Sequence, residues 1–204
     1  MDKKTLLVGF SSLLLIGIVA VVVILFGKSN SLRGTSYTEP YPVAANFKLA
    51  RDDGSSFQLS DARGNIVLLF FGYTSCPDVC PTTLAELNQA MKNLSEKEAE
   101  QVKVIFVTVD PDRDTPQKVQ EYVNYFNPDF IGLSGTEETL SKVWSDYGVY
   151  REIADSESAA GYLVNHTARV TMIDRNGNLR VSYSFETPVA DIVHDLKVML
   201  KEGN

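Results

Sequence analysis

The sequence predicts an α/β chain in which a central mixed sheet is flanked by helices, set behind an N-terminal transmembrane helix. Three observations carry this reading. A charge-free apolar run of 22 residues, Thr5 to Phe26, lies near the start. Two later runs, Ile66 to Gly72 (IVLLFFG) and Val102 to Val109 (VKVIFVTV), are apolar enough for strands buried on both faces. Helix-period segments alternate with strand-like ones, the order expected of a sheet covered by helices. The 204 residues are 44% hydrophobic and 22% charged, ordinary globular usage. A net charge of −7 argues against a non-specific nucleic-acid binder, and two cysteines are too few for a disulfide-stapled scaffold.

As a helix, the first run would be about 33 Å long, enough for a hydrocarbon core of roughly 30 Å. Lys3 and Lys4 precede it, while Lys28 and Arg33 follow. The positive-inside rule then leans toward a cytoplasmic N-terminus and an extracytoplasmic remainder. A cleaved signal peptide would have a shorter apolar core, of about 7–15 residues, and a small-residue cleavage site close behind it. Here the nearest such site, around Val43-Ala44-Ala45, is too far downstream, and no cysteine follows the run for lipid attachment. The expected organisation is an uncleaved single-span anchor at residues 1–28, a polar linker at 29–43 and one domain at 44–204. The linker contains Pro40 and Pro42 and would reach at most about 50 Å when extended. Residues 29–204 carry 16 Lys+Arg against 25 Asp+Glu, a net charge of −9 that suits cationic partners.

Within the domain, Phe47-Lys48-Leu49 and Phe57-Gln58-Leu59 flank Asp53-Gly54, a hairpin signal. The Ile66 to Gly72 strand follows. Thr82 to Leu94 repeats Leu84, Leu87, Met91 and Leu94 at helical spacing. After the second buried strand, Thr115-Pro116 supplies an N-cap and a first-turn proline for a helix running to about Phe126. Phe130 to Leu133 reads as a short strand and Thr136 to Tyr147 as a helix. Residues 154–165 lack periodicity and read as a loop. Arg169 to Ile173 and Leu179 to Ser184 flank Asn176-Gly177, a second hairpin. Thr187-Pro188 opens a last helix burying Val189, Ile192, Val193, Leu196, Met199 and Leu200.

The residues with chemical potential converge on Cys76-Pro77-Asp78-Val79-Cys80. The cysteines sit where a core strand passes into a helix, and side chains four apart share a helical face. Both sulfurs can then approach one metal ion or each other. The helix N-terminus favours thiolate, the form that binds metals and attacks disulfides, whereas Asp78 opposes this if it points inward. A local structural disulfide is the plainer alternative. His194, between Asp191 and Asp195 in the last helix, reads as a solvated surface histidine. His166 lies where the 154–165 loop meets a strand, and in this fold order the loop can lie near the cysteines. Thiolates with imidazole suit copper, with zinc as a rival; a strand-edge histidine without a ligand role is the competing reading. Asp110-Pro111-Asp112-Arg113-Asp114 lacks the glycine and distal glutamate of a calcium loop and is better explained as a strand-end turn with helix capping.

Phe71-Gly72-Tyr73-Thr74-x-Cys76-Pro77-Asp78-Val79-Cys80-Pro81, then Val109-Asp110-Pro111-Asp112-Arg113-Asp114-Thr115-Pro116, then Tyr162-Leu163-Val164-Asn165-His166, together with the anchor, resemble the Sco/SenC family. The resemblance runs from about residue 40 to the C-terminus. It implies a thioredoxin-like fold and a copper-binding protein that assists assembly of the dinuclear copper centre of cytochrome c oxidase. The family's copper ligands would fall on Cys76, Cys80 and His166, binding Cu(I) and Cu(II). The implied partners are the oxidase subunit carrying that centre and the membrane, with a copper donor or thiol reductant as further candidates. The family usually places aspartate before the ligand histidine, whereas this chain has Asn165. Some relatives exchange thiols and disulfides, so the enzymatic alternative is a thiol–disulfide reductase acting on an extracytoplasmic protein, with Cys76 and Cys80 redox-active. The three residues between the cysteines, against two in thioredoxin-type enzymes, favour the copper carrier. A third reading is an interaction module whose site is vestigial.

Overall fold

The computed structural model describes residues 31–155 and 161–202. The expected anchor at residues 1–28 therefore lies outside the described residues, and among those described no helix is long and apolar enough to cross a membrane. The described elements belong to the compact unit Leu32–Asn204.

Six strands make the main sheet: β1 Thr35–Ser36, β4 Ile66–Gly72, β5 Val102–Thr108, β6 Ile131–Leu133, β9 Arg169–Ile173 and β10 Leu179–Ser184. They lie in the order β1-β10-β9-β4-β5-β6. Strands β4, β5 and β6 are parallel, and β9, β10 and β1 continue the sheet antiparallel, so it is mixed as expected. Strands β2 Lys48–Ala50 and β3 Ser56–Gln58 form the hairpin around Asp53-Gly54. The helices are α1 Val79–Lys92, α2 Glu96–Ala99, α3 Pro116–Asn124, α4 Glu137–Asp146 and α5 Val189–Glu202.

Every residue of β4 is buried, which explains why its sequence does not alternate. Neighbouring strand residues point to opposite faces. Phe70 accordingly packs edge-on against Phe106, which in turn meets Tyr122 of α3, whereas Phe71 meets Tyr147 at the end of α4. Both faces of the sheet are thus covered. The cap expected from sequence is formed: Thr115 accepts a backbone N–H three residues on, starting α3, and Thr136 caps α4 in the same way.

Three expectations need correction. The stretch expected as a free linker is laid on the sheet from Leu32 onward. Strand β1 pairs with β10, the Tyr37 N–H donates to Arg180 O (3.0 Å), and Leu179 N–H donates to Pro42 O (2.8 Å). The open edge of β10 offers unpaired backbone groups, and this segment satisfies them. Second, the 154–165 loop contains strand residues at both ends. Strands β7 Arg151–Ala154 and β8 Leu163–His166 pair antiparallel, with Arg151 opposite His166. Third, His194 is half-buried rather than solvated, and Asp195 beside it is wholly buried. Asp195 accepts hydrogen bonds from the backbone N–H groups of Arg33 and Gly34 and from the Tyr183 hydroxyl, and His194 Nδ1 lies 2.9 Å from it.

Candidate functional site

Cys76 and Cys80 sit at the C-terminal end of β4, where the chain turns into α1. Cys80 is buried in the first turn of α1, and Cys76 precedes the helix, partly exposed; both are free thiols. Cys80 N–H donates to Cys76 Sγ at 3.4 Å. The helix start thus points its unpaired N–H groups at one sulfur, the arrangement that stabilises a thiolate. Asp78, between the two cysteines, is exposed and makes no side-chain cap, so its charge turns outward.

The two thiols are unequal. Cys76 is lowered from 9.0 to about 4, first because the Cys80 thiol donates to it; burial works against this, while His166 and the N–H groups of Asp78 and Cys80 add to it. Cys80 is pushed well up, first because it is that donor and next because it is buried beside the Cys76 charge. The pair therefore holds one proton, on Cys80, and presents one thiolate, Cys76.

His166 ends β8 on the same side as these sulfurs. Its Nε2 stands 3.7 Å from Cys80 Sγ and its Nδ1 stands 3.2 Å from Thr167 O. A carbonyl oxygen only accepts, so Nδ1 donates to Thr167 O, and Nε2 is the ring nitrogen that faces Cys80. The Tyr73 ring meets the imidazole edge-on at 5.8 Å. The three donors lie side by side, although among the described residues no group of three or more His, Cys, Asp or Glu side chains is already arranged around a metal position.

The Asp110–Asp114 segment holds this constellation together, a role its reading as a turn missed. Asp114 is wholly buried. It accepts from Thr74 N–H at 2.9 Å, from the Thr74 hydroxyl and from Thr108 Oγ1 at 2.7 Å. It thereby ties the loop before Cys76 to the end of β5. Asp110, also wholly buried, accepts from Arg113 Nε and from the Tyr162 hydroxyl (2.7 Å). Arg113 reaches on to Tyr162 O at 2.9 Å and stacks on the Tyr162 ring at 3.7 Å. Tyr162 leads directly into β8, so this clamp positions the strand that ends in His166. The Arg151 guanidinium donates to Val109 O and braces β7, the partner of β8. Asn165 is exposed; as the neighbour of His166 on a strand it points to the opposite face.

Residues 35–201 match the SCO1/SenC family. The chain belongs to the SCO1/SenC family. Its relatives include an SCO2-like protein of Rickettsia felis, 31% identical over 162 residues that span 79% of this chain and 78% of the relative. Among solved structures, apo Sco1 of Thermus thermophilus is 38% identical with a TM-score of 0.74, covering 83% of this chain and 98% of that one. ScoI of Bradyrhizobium japonicum, solved with copper bound, is 34% identical with a TM-score of 0.70, covering 77% and 99%. The fold is thus the thioredoxin-like α/β arrangement of SCO1/SenC proteins.

Proposed function

We propose that this SCO1/SenC protein is a membrane-tethered copper carrier. It would hold Cu(I) or Cu(II) through Cys76, Cys80 and His166 and deliver it for assembly of the dinuclear copper centre of cytochrome c oxidase. Residues 1–28 would form the anchor and residues 44–204 the extracytoplasmic copper domain, with residues 32–43 strapped to it. The carrying observation is the 3.7 Å separation of Cys80 Sγ and His166 Nε2 beside a Cys76 thiolate. A trigonal metal bound at about 2.3 Å to sulfur and about 2.0 Å to imidazole nitrogen holds those two donors about 3.7 Å apart. Thiolate sulfur suits Cu(I), and imidazole extends the site toward Cu(II). Copper entering at the partly exposed Cys76 would take Cys80 as its second sulfur, displacing the Cys80 proton to solvent, and His166 as the third ligand. Release would run in reverse, an incoming thiolate of the recipient replacing one ligand at a time. The acidic domain suits a cationic cargo.

The test is anaerobic copper titration of the full chain in three forms: reduced, with a Cys76–Cys80 disulfide, and as His166→Ala. One tightly held copper per reduced chain, lost on oxidation, is expected. His166→Ala should weaken Cu(II) much more than Cu(I), and equal retention of both would remove His166 from the site. For the recipient, the copper-loaded chain should metallate an apo oxidase subunit. Absence of tight copper in every form, with thiols and fold intact, would overturn the carrier reading. The inequality of the thiols favours a second reading, a thiol–disulfide reductase in which Cys76 attacks a substrate disulfide and Cys80 resolves the mixed disulfide. That activity would turn over without metal and survive His166→Ala.

A further inference from the structure

Tyr73 directly follows β4 and is buried. Its carbonyl accepts the Cys76 N–H at 3.3 Å, and the next residue, Thr74, is bonded to Asp114. Tyr73 is thus fixed both to the sheet and to the loop that carries the thiols. Its side chain reaches across to β8, where the hydroxyl accepts the Val164 N–H at 3.3 Å. That bond joins segments 91 residues apart.

The hydroxyl meets a need that strand geometry creates. Strands β7 and β8 make a two-stranded sheet separate from the main one. In an antiparallel pair, opposite residues alternately exchange backbone hydrogen bonds and lack them. Thr167 N–H donates to Tyr150 O at 3.1 Å, so this pair is a bonded one. Counting along the register, Glu152 with Asn165 is bonded and Ile153 with Val164 is not. The Val164 N–H therefore points out of the hairpin into a buried setting, and the Tyr73 hydroxyl receives it there. The ring of the same tyrosine packs edge-on against the His166 imidazole, centroids 5.8 Å apart.

Val164 and His166 lie two apart on one strand and share a face. The imidazole is bonded through Nδ1 to the carbonyl of the next residue, so the ring travels with its own strand. The 3.7 Å between His166 Nε2 and Cys80 Sγ is then set by whatever fixes β8 against the end of β4. The Arg113 clamp acts at Tyr162, four residues before His166. Tyr73 acts two residues before it and is itself joined to Cys76. We propose that Tyr73 is a positioning residue for the metal site, its hydroxyl holding the Val164 N–H and thereby setting His166 against the two cysteines. What that placement serves rests on the copper-carrier reading above. Ligand distances are held to within about 0.2 Å in a good site, so a loosened β8 takes the imidazole out of range first. Cu(II) relies on that nitrogen more than Cu(I), which the softer sulfurs hold.

The experiment uses the full chain with Tyr73→Phe, which keeps the ring and deletes the hydroxyl. Tyr147→Phe is the control, because it deletes another hydroxyl-to-backbone bond, to Ala45 O at 2.7 Å, that does not involve β8. Amide exchange at Val164 is read without metal, and Cu(I) and Cu(II) affinities are read by chelator competition. The affinities are measured again with His166→Ala added. Tyr73→Phe should speed exchange at Val164 and weaken Cu(II) about 10-fold, with Cu(I) near the wild-type value. In the His166→Ala background it should weaken neither state further, because the hydroxyl acts through the imidazole. Tyr147→Phe should leave Val164 exchange and both affinities at wild type. Unchanged Cu(II) affinity in Tyr73→Phe would overturn the inference. So would equal weakening of both copper states, equal weakening with and without His166, or the same Cu(II) loss in Tyr147→Phe. A wild-type chain that takes up no copper, while Val164 exchange still depends on the hydroxyl, would sink the carrier reading and leave the hold on β8 standing.

Discussion

Asp114 and Asp195 are both wholly buried carboxylates that tie separate stretches of chain to the sheet, yet they hold in different ways. Asp114 gathers side chains and backbone from consecutive strand ends: Thr74 after β4 and Thr108 at the end of β5, with Lys118 Nζ at 3.6 Å. Asp195 gathers backbone N–H groups from a segment 162 residues away, with Tyr183 and His194 alongside. The first is enclosed by the core on which the thiols are mounted. The second fastens a strap that can peel into water if released. Burial alone therefore does not set the consequence of losing a carboxylate; what its abandoned partners can do next also counts.

Asp114→Ala provides the largest break in this comparison. Thr108 and the Thr74 N–H would be stranded inside the domain, with a cost of about 3–5 kcal/mol. The denaturant midpoint should fall accordingly, and the freed Thr74 loop should cost the chain its copper uptake. A loss under about 1 kcal/mol would mean that the pocket closes over the gap.

Asp195→Ala should cost less, about 1–3 kcal/mol, because the Arg33 and Gly34 N–H groups can find water once the strap lifts. Amide exchange should accelerate at residues 33–37, while copper uptake stays at the wild-type level. Equal loss of copper binding in the two variants would erase the distinction between a clamp at the site and a strap remote from it.

A pH series sharpens the picture at the Asp114 end. The Cys76 thiol lies at about 4 in the folded chain against an ordinary 9.0. Between those values the unfolded chain binds the extra proton, so stability should rise with pH across that window. The contribution is complete above the unfolded value and disappears as pH falls through about 4. Cys80 is shifted the other way, so it lowers stability once the unfolded thiol begins to ionise. Cys76→Ser should flatten the rise. In the native reduced chain, one thiol should react with iodoacetamide at a rate nearly constant between about pH 5 and 8. Two thiols reacting in parallel would contradict the assigned inequality.

How much of this was legible depended on how far the deciding partner lay along the chain. Strands β4 and β5 announced themselves because burial on both faces leaves a continuous apolar run, and Asn176-Gly177 fixed the β9–β10 hairpin locally. Helix α2 has a local signal too, the Ser95–Glu98 capping box, but its single turn is too short to show a period. The strap did not announce itself: a polar stretch with Pro40 and Pro42 looks like a linker until Asp195 and β10 are beside it. Strands β7 and β8 are short and mostly exposed, and Arg151 bonding to Val109 O braces β7 from outside the hairpin. At the site, the four-residue spacing placed both cysteines together, and the loop-to-strand position of His166 marked it as a possible ligand that the family resemblance then strengthened. The roles of Asp110 and Asp114 were hidden because Thr74 lies 40 residues from Asp114 and Tyr162 lies 52 from Asp110.

Asn165 gives the smallest expected effect and tests whether neighbours in sequence act as neighbours in space. The family resemblance places an aspartate here, which invites a charge acting on the metal site. In the structure the residue is exposed, and strand alternation turns it away from His166, while Nδ1 of His166 is already engaged by Thr167 O. Asn165→Asp would add a charge screened by water on the far side of β8. Stability should change by no more than about 0.5 kcal/mol, and copper affinity should remain within about 2-fold, as expected for an exposed charge with no direct contact to the ligands. Dependence on salt decides the remaining case. An affinity gain that vanishes at high ionic strength would be long-range attraction of the cation, whereas one that persists would require the introduced carboxylate to swing onto the His166 side and bond there.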